Sequence, residues 1–327
     1  MKLKSYILSL AIIILPVSVS AQKISLGSCI TKDGGEYNGE MAAGKPHGKG
    51  KTEWKNGNHY EGEYIKGKRE GHGIYTFYDG ERYEGQWMQD HQHGQGTYYF
   101  QNNNKYVGLW FKDYQQGYGE MYYFNGDTYK GNWHEDKRNG KGKYVYASGD
   151  VYVGQWQNDL QHGKGIYRFQ NGDIYEGDYV NGQRTGNGIV KFANGDRYNG
   201  QFLKGDKNGQ GTFLWANGNS YSGQWKSDQP NGRGKLTTKA GDVVEGQFKN
   251  GHPEGECIGH LADGSKFKSQ YKNGLRHGPA IEEDKDGKRI ECNYENGKRE
   301  GAFIEKDRNG TVVAKGTYSN GYRKTDK

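Results

Sequence analysis

The chain repeats itself every 23 residues, and this period constrains the fold more than any local motif. Set out in lines of 23 from Tyr37, the register holds without a gap for twelve lines, to Val312. Position 1 is Tyr in the first nine lines, at 37, 60, 83, 106, 129, 152, 175, 198 and 221, and then Val244, Phe267 and Ile290. Position 12 is Gly in all twelve, from Gly48 to Gly301. All 7 Trp occupy two positions: position 5 (Trp87, Trp110, Trp133, Trp156, Trp225) or position 18 (Trp54, Trp215). Rings confined to two positions belong to the architecture of a repeat, not to a single site.

Within one line, Tyr60-x-Gly62-x-Tyr64 and Gly73-x-Tyr75-x-Phe77 alternate with period two, which puts the rings of both segments on one face of a pair of strands. Each line therefore reads as a β-hairpin. Position 21 is Gly in eleven lines, usually behind Asn or Asp as in Asn56-Gly57 and Asp79-Gly80, and this dipeptide joins one repeat to the next through a tight turn. Position 8 is always Gly or Asp, and with the Gly at position 12 it is expected to make a longer turn inside the repeat. Short connections throughout predict an antiparallel meander. At ~4.8 Å per strand, twelve hairpins give a ribbon on the order of 115 Å, held by nearest-neighbour contacts. Gly at positions 3 and 14 weakens a strand unless something bulky needs the space, and the rings at positions 1, 5, 16 and 18 are expected to fill it.

Tyr60-Glu-Gly-Glu-Tyr64, followed by Gly67-Lys-Arg-Glu-Gly71-His-Gly73 and Asp79-Gly80, resembles the MORN repeat. The resemblance covers about 290 residues and recurs in register. It implies an all-β fold, an elongated, twisted antiparallel β-meander of about twelve 23-residue hairpin repeats. It also implies a ringed face used for protein contacts, dimerisation and in some members association with membranes or phospholipids, and no catalytic residues in the repeat itself. Residues 22–36 form an N-terminal half-repeat cap with Asp33-Gly34 as its turn, and residues 37–266 form repeats one to ten. Residues 267–327 hold variant repeats and a C-terminal cap: position 3 becomes Ser269 and Cys292, position 14 becomes Ala280 and Phe303, and the ring at position 18 becomes Asp284 and Asp307. Arg323, Lys324 and Lys327 would discourage edge pairing at that end.

Residues 1–21 follow other rules. Lys2 and Lys4 precede an apolar run from Tyr6 to Val19, and Val19-Ser20-Ala21 supplies the small residues of a cleavage site, so this segment is read as a signal peptide of bacterial type. The run is short for a ~20-residue membrane span. Leu26-Gly27-Ser28-Cys29 resembles a lipobox, but polar Gln22 and Lys23 separate it from the apolar run. The expected location is exported, periplasmic or envelope-associated. The net charge of +7 becomes +5 without Lys2 and Lys4 (44 basic against 39 acidic residues), and no long basic block appears, so nucleic acid is not an expected partner.

The glycine-rich strings lack the following helix that a phosphate cradle needs, so no cofactor is expected. His47, His93, His162 and His277 share position 11, where they read as turn residues, and no third ligand stands near His91 and His93 for a metal. Cys257 and Cys292 should lie three strands, ~14 Å, apart, beyond the ~7 Å between Cα atoms that a disulfide spans. The acids fall on turns or, like Glu61, Glu63, Glu84 and Glu176, on the face opposite the rings, as solvated faces do; no catalytic set is expected.

That opposite face departs from its polar habit in repeats two to four. It carries Ile74, Tyr78, Tyr99, Val107, Leu109, Phe111, Tyr122 and Phe124, where repeat one has Asn38, Glu40, Lys51, Glu53 and Lys55. Two readings are open: packing between sheets through local curl, or a patch that binds a partner. The expected partner is an unknown protein or a second copy, with a homodimer among the options. An anionic membrane surface is the alternative suggested by Lys68-Arg69, Lys137-Arg138 and Lys298-Arg299 at turns, and a glycan that suggested by rings interleaved with amides.

Overall fold

The computed structural model describes residues 23–325, so the signal-peptide reading of residues 1–21 lies outside the described residues. Twenty-seven strands run from β1 (Ile24–Ile30) to β27 (Tyr322–Thr325), and no helix occurs among the described residues. The chain divides into two compact units, one ending at Gln101 but including Phe111–Asp113, the other comprising Asn102–Trp110 and the chain from Tyr114 onward.

In the first unit, β1, β2 (Glu36–Ala42), β3 (Lys45–Glu53), β4 (His59–Ile65), β5 (Lys68–Thr76), β6 (Arg82–Met88) and β7 (His91–Tyr99) pair antiparallel in chain order. The second unit repeats the pattern from β9 (Tyr114–Tyr122) and β10 (Thr128–His134) to β27. The half-repeat at residues 22–36 supplies one strand, β1, and its turn.

The turn inside each repeat corrects the sequence reading. It is a two-residue turn at positions 7 and 8, such as Lys66-Gly67 or Gln89-Asp90, with both residues at positive φ, the arrangement that matches the twist of a hairpin. Gly71-His72 are not part of it. They are two extra residues inside β5: Gly62 faces Gly73 and Glu63 faces Glu70, so the ladder steps over them as a β-bulge, with Gly71 at φ 64. His47, His93, His162 and His277 accordingly sit within strands beside this bulge, not in turns. The connection between repeats is the longer one, a three-residue loop such as Tyr78-Asp79-Gly80, in which the Gly80 N–H donates to the Phe77 carbonyl (3.0 Å) and the Phe77 N–H to the Glu81 carbonyl (2.9 Å).

The bulge explains why position 1 is Tyr and not Phe. The Tyr129 ring lies over the facing pair Gly131 and Gly142, and a Cβ at Gly142 would stand 2.5–2.6 Å from its ring carbons. Its hydroxyl donates to the Asn132 carbonyl, at position 4, at 2.9 Å. The same bond recurs from Tyr83 to Gln86, Tyr152 to Gln155, Tyr175 to Asp178 and Tyr221 to Gln224, at 2.9–3.0 Å. The other polar group freed by the bulge, the position 13 N–H, donates to the position 4 side chain, as Gln210 does to Gln201 (2.7 Å) and Arg233 to Gln224 (2.9 Å). Both backbone groups left without a ladder partner are thus satisfied within the hairpin. The glycine gap expected for four ring positions is filled by the position 1 ring.

The core is a file of rings meeting edge to face. In the second unit it runs Trp133, Tyr129, Trp156, Tyr152, Tyr179, Tyr175, Phe202, Tyr198, Trp225, Tyr221, with successive centroids 5.2–5.4 Å apart. Such pairs add about 0.5–1.5 kcal/mol each beyond their burial.

Candidate functional site

The ringed face is largely spent on this construction. The five Trp at position 5 are 4–6% exposed and leave no ring face open for a ligand to stack on. Trp54 and Trp215 at position 18 are half-buried. Position 10 closes over the rings from above: the Arg69 guanidinium lies 4.3 Å from the Trp87 ring centroid, Arg138 lies 4.5 Å from that of Trp156, and the Lys207 ammonium 5.2 Å from that of Trp225. Each is held there by the Asp at position 8 of the next repeat. The Arg138 Nε donates to Asp159 at 3.0 Å, its backbone N–H bonds the same carboxylate at 3.0 Å, and the Asp159 N–H returns to the Arg138 carbonyl at 3.1 Å. Arg69 is paired with Asp90 at 3.5 Å, and Arg299 with Glu282. One member of each basic pair put forward for membrane contact is therefore turned onto the rings and neutralised.

In the variant repeats charge replaces rings. Glu282 stands at ring position 16, bonded by Arg276, Arg299 and the Tyr294 hydroxyl (2.6 Å), beside a cavity of about 420 Å³. Burial pushes its carboxyl up, but the Tyr294 hydroxyl and the Arg299 and Arg276 charges outweigh this and hold it below the usual range. Glu305, buried, is held between Lys288 and Arg323 in the same way. The row Cys257–Ser269–Ala280–Cys292 crosses these strands, which places the two cysteines three strands apart, as read from the repeat; burial pushes the Cys292 thiol up to about 11. Among the described residues no group of three or more His, Cys, Asp or Glu stands ready to hold a metal ion.

The face opposite the rings is different. In the first unit Tyr78 is 74% exposed at a loop tip, and Tyr99 and Phe111 are exposed. Ile74 is half-buried between the facing residues Glu61 and Glu84. The Arg82 guanidinium lies 4.4 Å from the Tyr99 ring centroid and that of Phe111 carries the Lys112 ammonium at 5.4 Å. In the second unit Phe124 is 75% exposed, and Val107 and Leu109 are exposed. Tyr122 is half-buried among Lys105, Lys130 and Glu120, its hydroxyl donating to the Glu120 carboxylate. Within each unit these residues are exposed or half-buried among charged neighbours. The structure adds Tyr114 and Tyr118, both exposed. Tyr118 was legible as a departure from its column, since position 13 is Lys49, His72, Gln95, Lys141 and Lys164 elsewhere.

Comparison with known proteins agrees with the geometry. The MORN repeat profile matches eleven consecutive segments: 37–59, 60–82, 83–105, 106–128, 129–151, 152–174, 175–197, 198–220, 221–243, 245–266 and 267–289. No curated protein matches the chain. Among solved structures it is similar to the Drosophila melanogaster SAS-4 (dCPAP) TCP domain in complex with a proline-rich motif of Ana2 (17% identity, 47% of this chain and 84% of that one, TM-score 0.32). It is also similar to the wild-type TCP10 domain of Danio rerio CPAP (13%, 67% and 98%, TM-score 0.27). Eleven matched repeats over a 23-residue hairpin with a bulge, a buried Tyr and paired glycines leave one assignment: the chain belongs to the MORN-repeat family.

Proposed function

We propose that the protein is an exported, non-catalytic repeat scaffold at the cell envelope whose function is protein binding, through the face opposite the rings. MORN repeats are protein- or membrane-binding scaffold modules. The observation that carries the choice is the contrast in exposure: the position 1 Tyr are at most 1% exposed, whereas Tyr78 and Phe124 are 74% and 75% exposed. Exposed rings, accompanied by Tyr99 and Leu109 and lying among charges, have the composition of an interface. Membrane binding is less favoured because Arg69, Arg138 and Arg299 are engaged by carboxylates, and glycan stacking because the position 5 Trp rings are buried. Capture from envelope extract with the wild type and with Tyr99→Glu and Leu109→Glu tests the reading. It expects a specific protein held by the wild type and lost by both variants; retention by both, or binding instead to anionic vesicles or peptidoglycan, would overturn it.

A further inference from the structure

The two ends of the strand series are unlike. β27 is four residues long and carries Arg323 and Lys324, the short, charged form in which proteins keep an exposed edge from pairing. β1 is seven residues long, and among the described residues it pairs with β2 alone. It carries no charge and no proline between Ile24 and Ile30. Ile24, Leu26 and Ile30 point to the face opposite the rings at 52%, 84% and 66% exposure. Their neighbours on β2 are Ala42, Glu40 and Glu36, so only Ile24 faces an apolar side chain. Among the described residues nothing covers this apolar stripe, which lies on an edge beside a polar strand.

We propose that β1 pairs antiparallel with β1 of a second copy, about a twofold axis normal to the sheet and midway between the two Gly27. The sequence of the strand is self-complementary in that register. Gly27 faces Gly27 of the second copy, continuing the glycine row that already runs through Gly50, Gly39 and Gly27. Ile24 faces Ile30, and Leu26 faces Ser28 with the other copy's Leu26 and Ile30 on its diagonals, so six aliphatic side chains form one row across the axis. Lys23 falls opposite Thr31, and no like charges meet. Odd residues face odd residues, which keeps the ringed face of both copies on the same side. Pairing of β1 with β27 instead would match seven residues with four, and a head-to-tail contact of that kind propagates, whereas the twofold contact closes. The proposal does not depend on the partner-binding face, and the Tyr99 and Leu109 variants should leave it intact.

Light scattering of the purified full chain should give twice the chain mass for the wild type and a single chain mass for Leu26→Lys, with unchanged circular dichroism because Leu26 is exposed. The register has its own test. Ser25→Cys places a thiol opposite Cys29 of the second copy, so oxidised glutathione should link the variant into a covalent dimer, while the wild type and Ser25→Cys combined with Cys29→Ser should stay unlinked. A wild type of single chain mass at every concentration, a dimer that survives Leu26→Lys, or a Ser25→Cys variant that links no faster than the wild type would overturn the proposal.

Discussion

At the scale of residues, position 1 does three jobs. Its ring fills the space of two glycines, its edge contacts the next ring, and its hydroxyl ties down the carbonyl freed by the bulge. The jobs are separable by mutation. Tyr129→Phe keeps the first two and should cost about 1 kcal/mol, one buried hydrogen bond. Gly142→Ala drives a methyl group into the Tyr129 ring and should cost more, roughly 1–3 kcal/mol. Denaturant unfolding of the two variants checks the order, and equal costs would mean that the ring is not the tight fit described. The alternation of Tyr and Gly was legible from sequence because both recur at fixed positions. The hydroxyl's partner was not, since the freed carbonyl exists only once the bulge is known.

Elements show where sequence reasoning went astray. Gly67 to Gly73 reads as one glycine-rich loop, yet Gly67 closes a two-residue turn and Gly71 opens a bulge four residues later, inside a strand. Spacing alone cannot separate a long loop from a turn followed by a bulge, because both call for glycine at positive φ. Position 10 was missed for a related reason: with positions 8 to 12 read as one turn, Arg138 fell outside any strand, where alternation assigns no face. The variant repeats, flagged by Asp284 and Asp307, carry the clearest pH signature. The Glu282 carboxyl is held below its ordinary value, so its contribution to stability is complete above the unfolded value of about 4.3 and is lost as the pH falls through the lower folded value. Glu282→Gln should destabilise these repeats by on the order of 1–3 kcal/mol at neutral pH, and by less at pH below about 4. Hydrogen exchange of β22 (Lys266–Lys272) to β25 (Lys298–Lys306) at the two pH values reads this; a deficit independent of pH would assign Glu282 a packing role only.

For the whole molecule, stability built from neighbouring hairpins predicts tolerance to loss of a unit of sequence. Removing residues 152–174 joins Val151 to Tyr175, position 23 to position 1, and should give a folded chain of slightly lower stability. Removing 163–174 breaks the period and should unfold the hairpins around the cut, which circular dichroism and proteolysis would register. The period was legible in sequence, and so were most of the exposed residues on the opposite face, because they break a column. What those residues bind was not legible, since nothing in one chain records its partner's chemistry. The division of labour between the faces is the central claim, and side-chain footprinting by hydroxyl radicals tests it directly on the chain with and without its captured partner. Tyr78, Tyr99, Tyr118 and Phe124 should be labelled in the free protein and protected in the complex, while the position 1 Tyr stay unlabelled in both. Protection confined to Trp54, Phe77 and Trp215 on the ringed face, with Tyr78 and Phe124 unchanged, would contradict it.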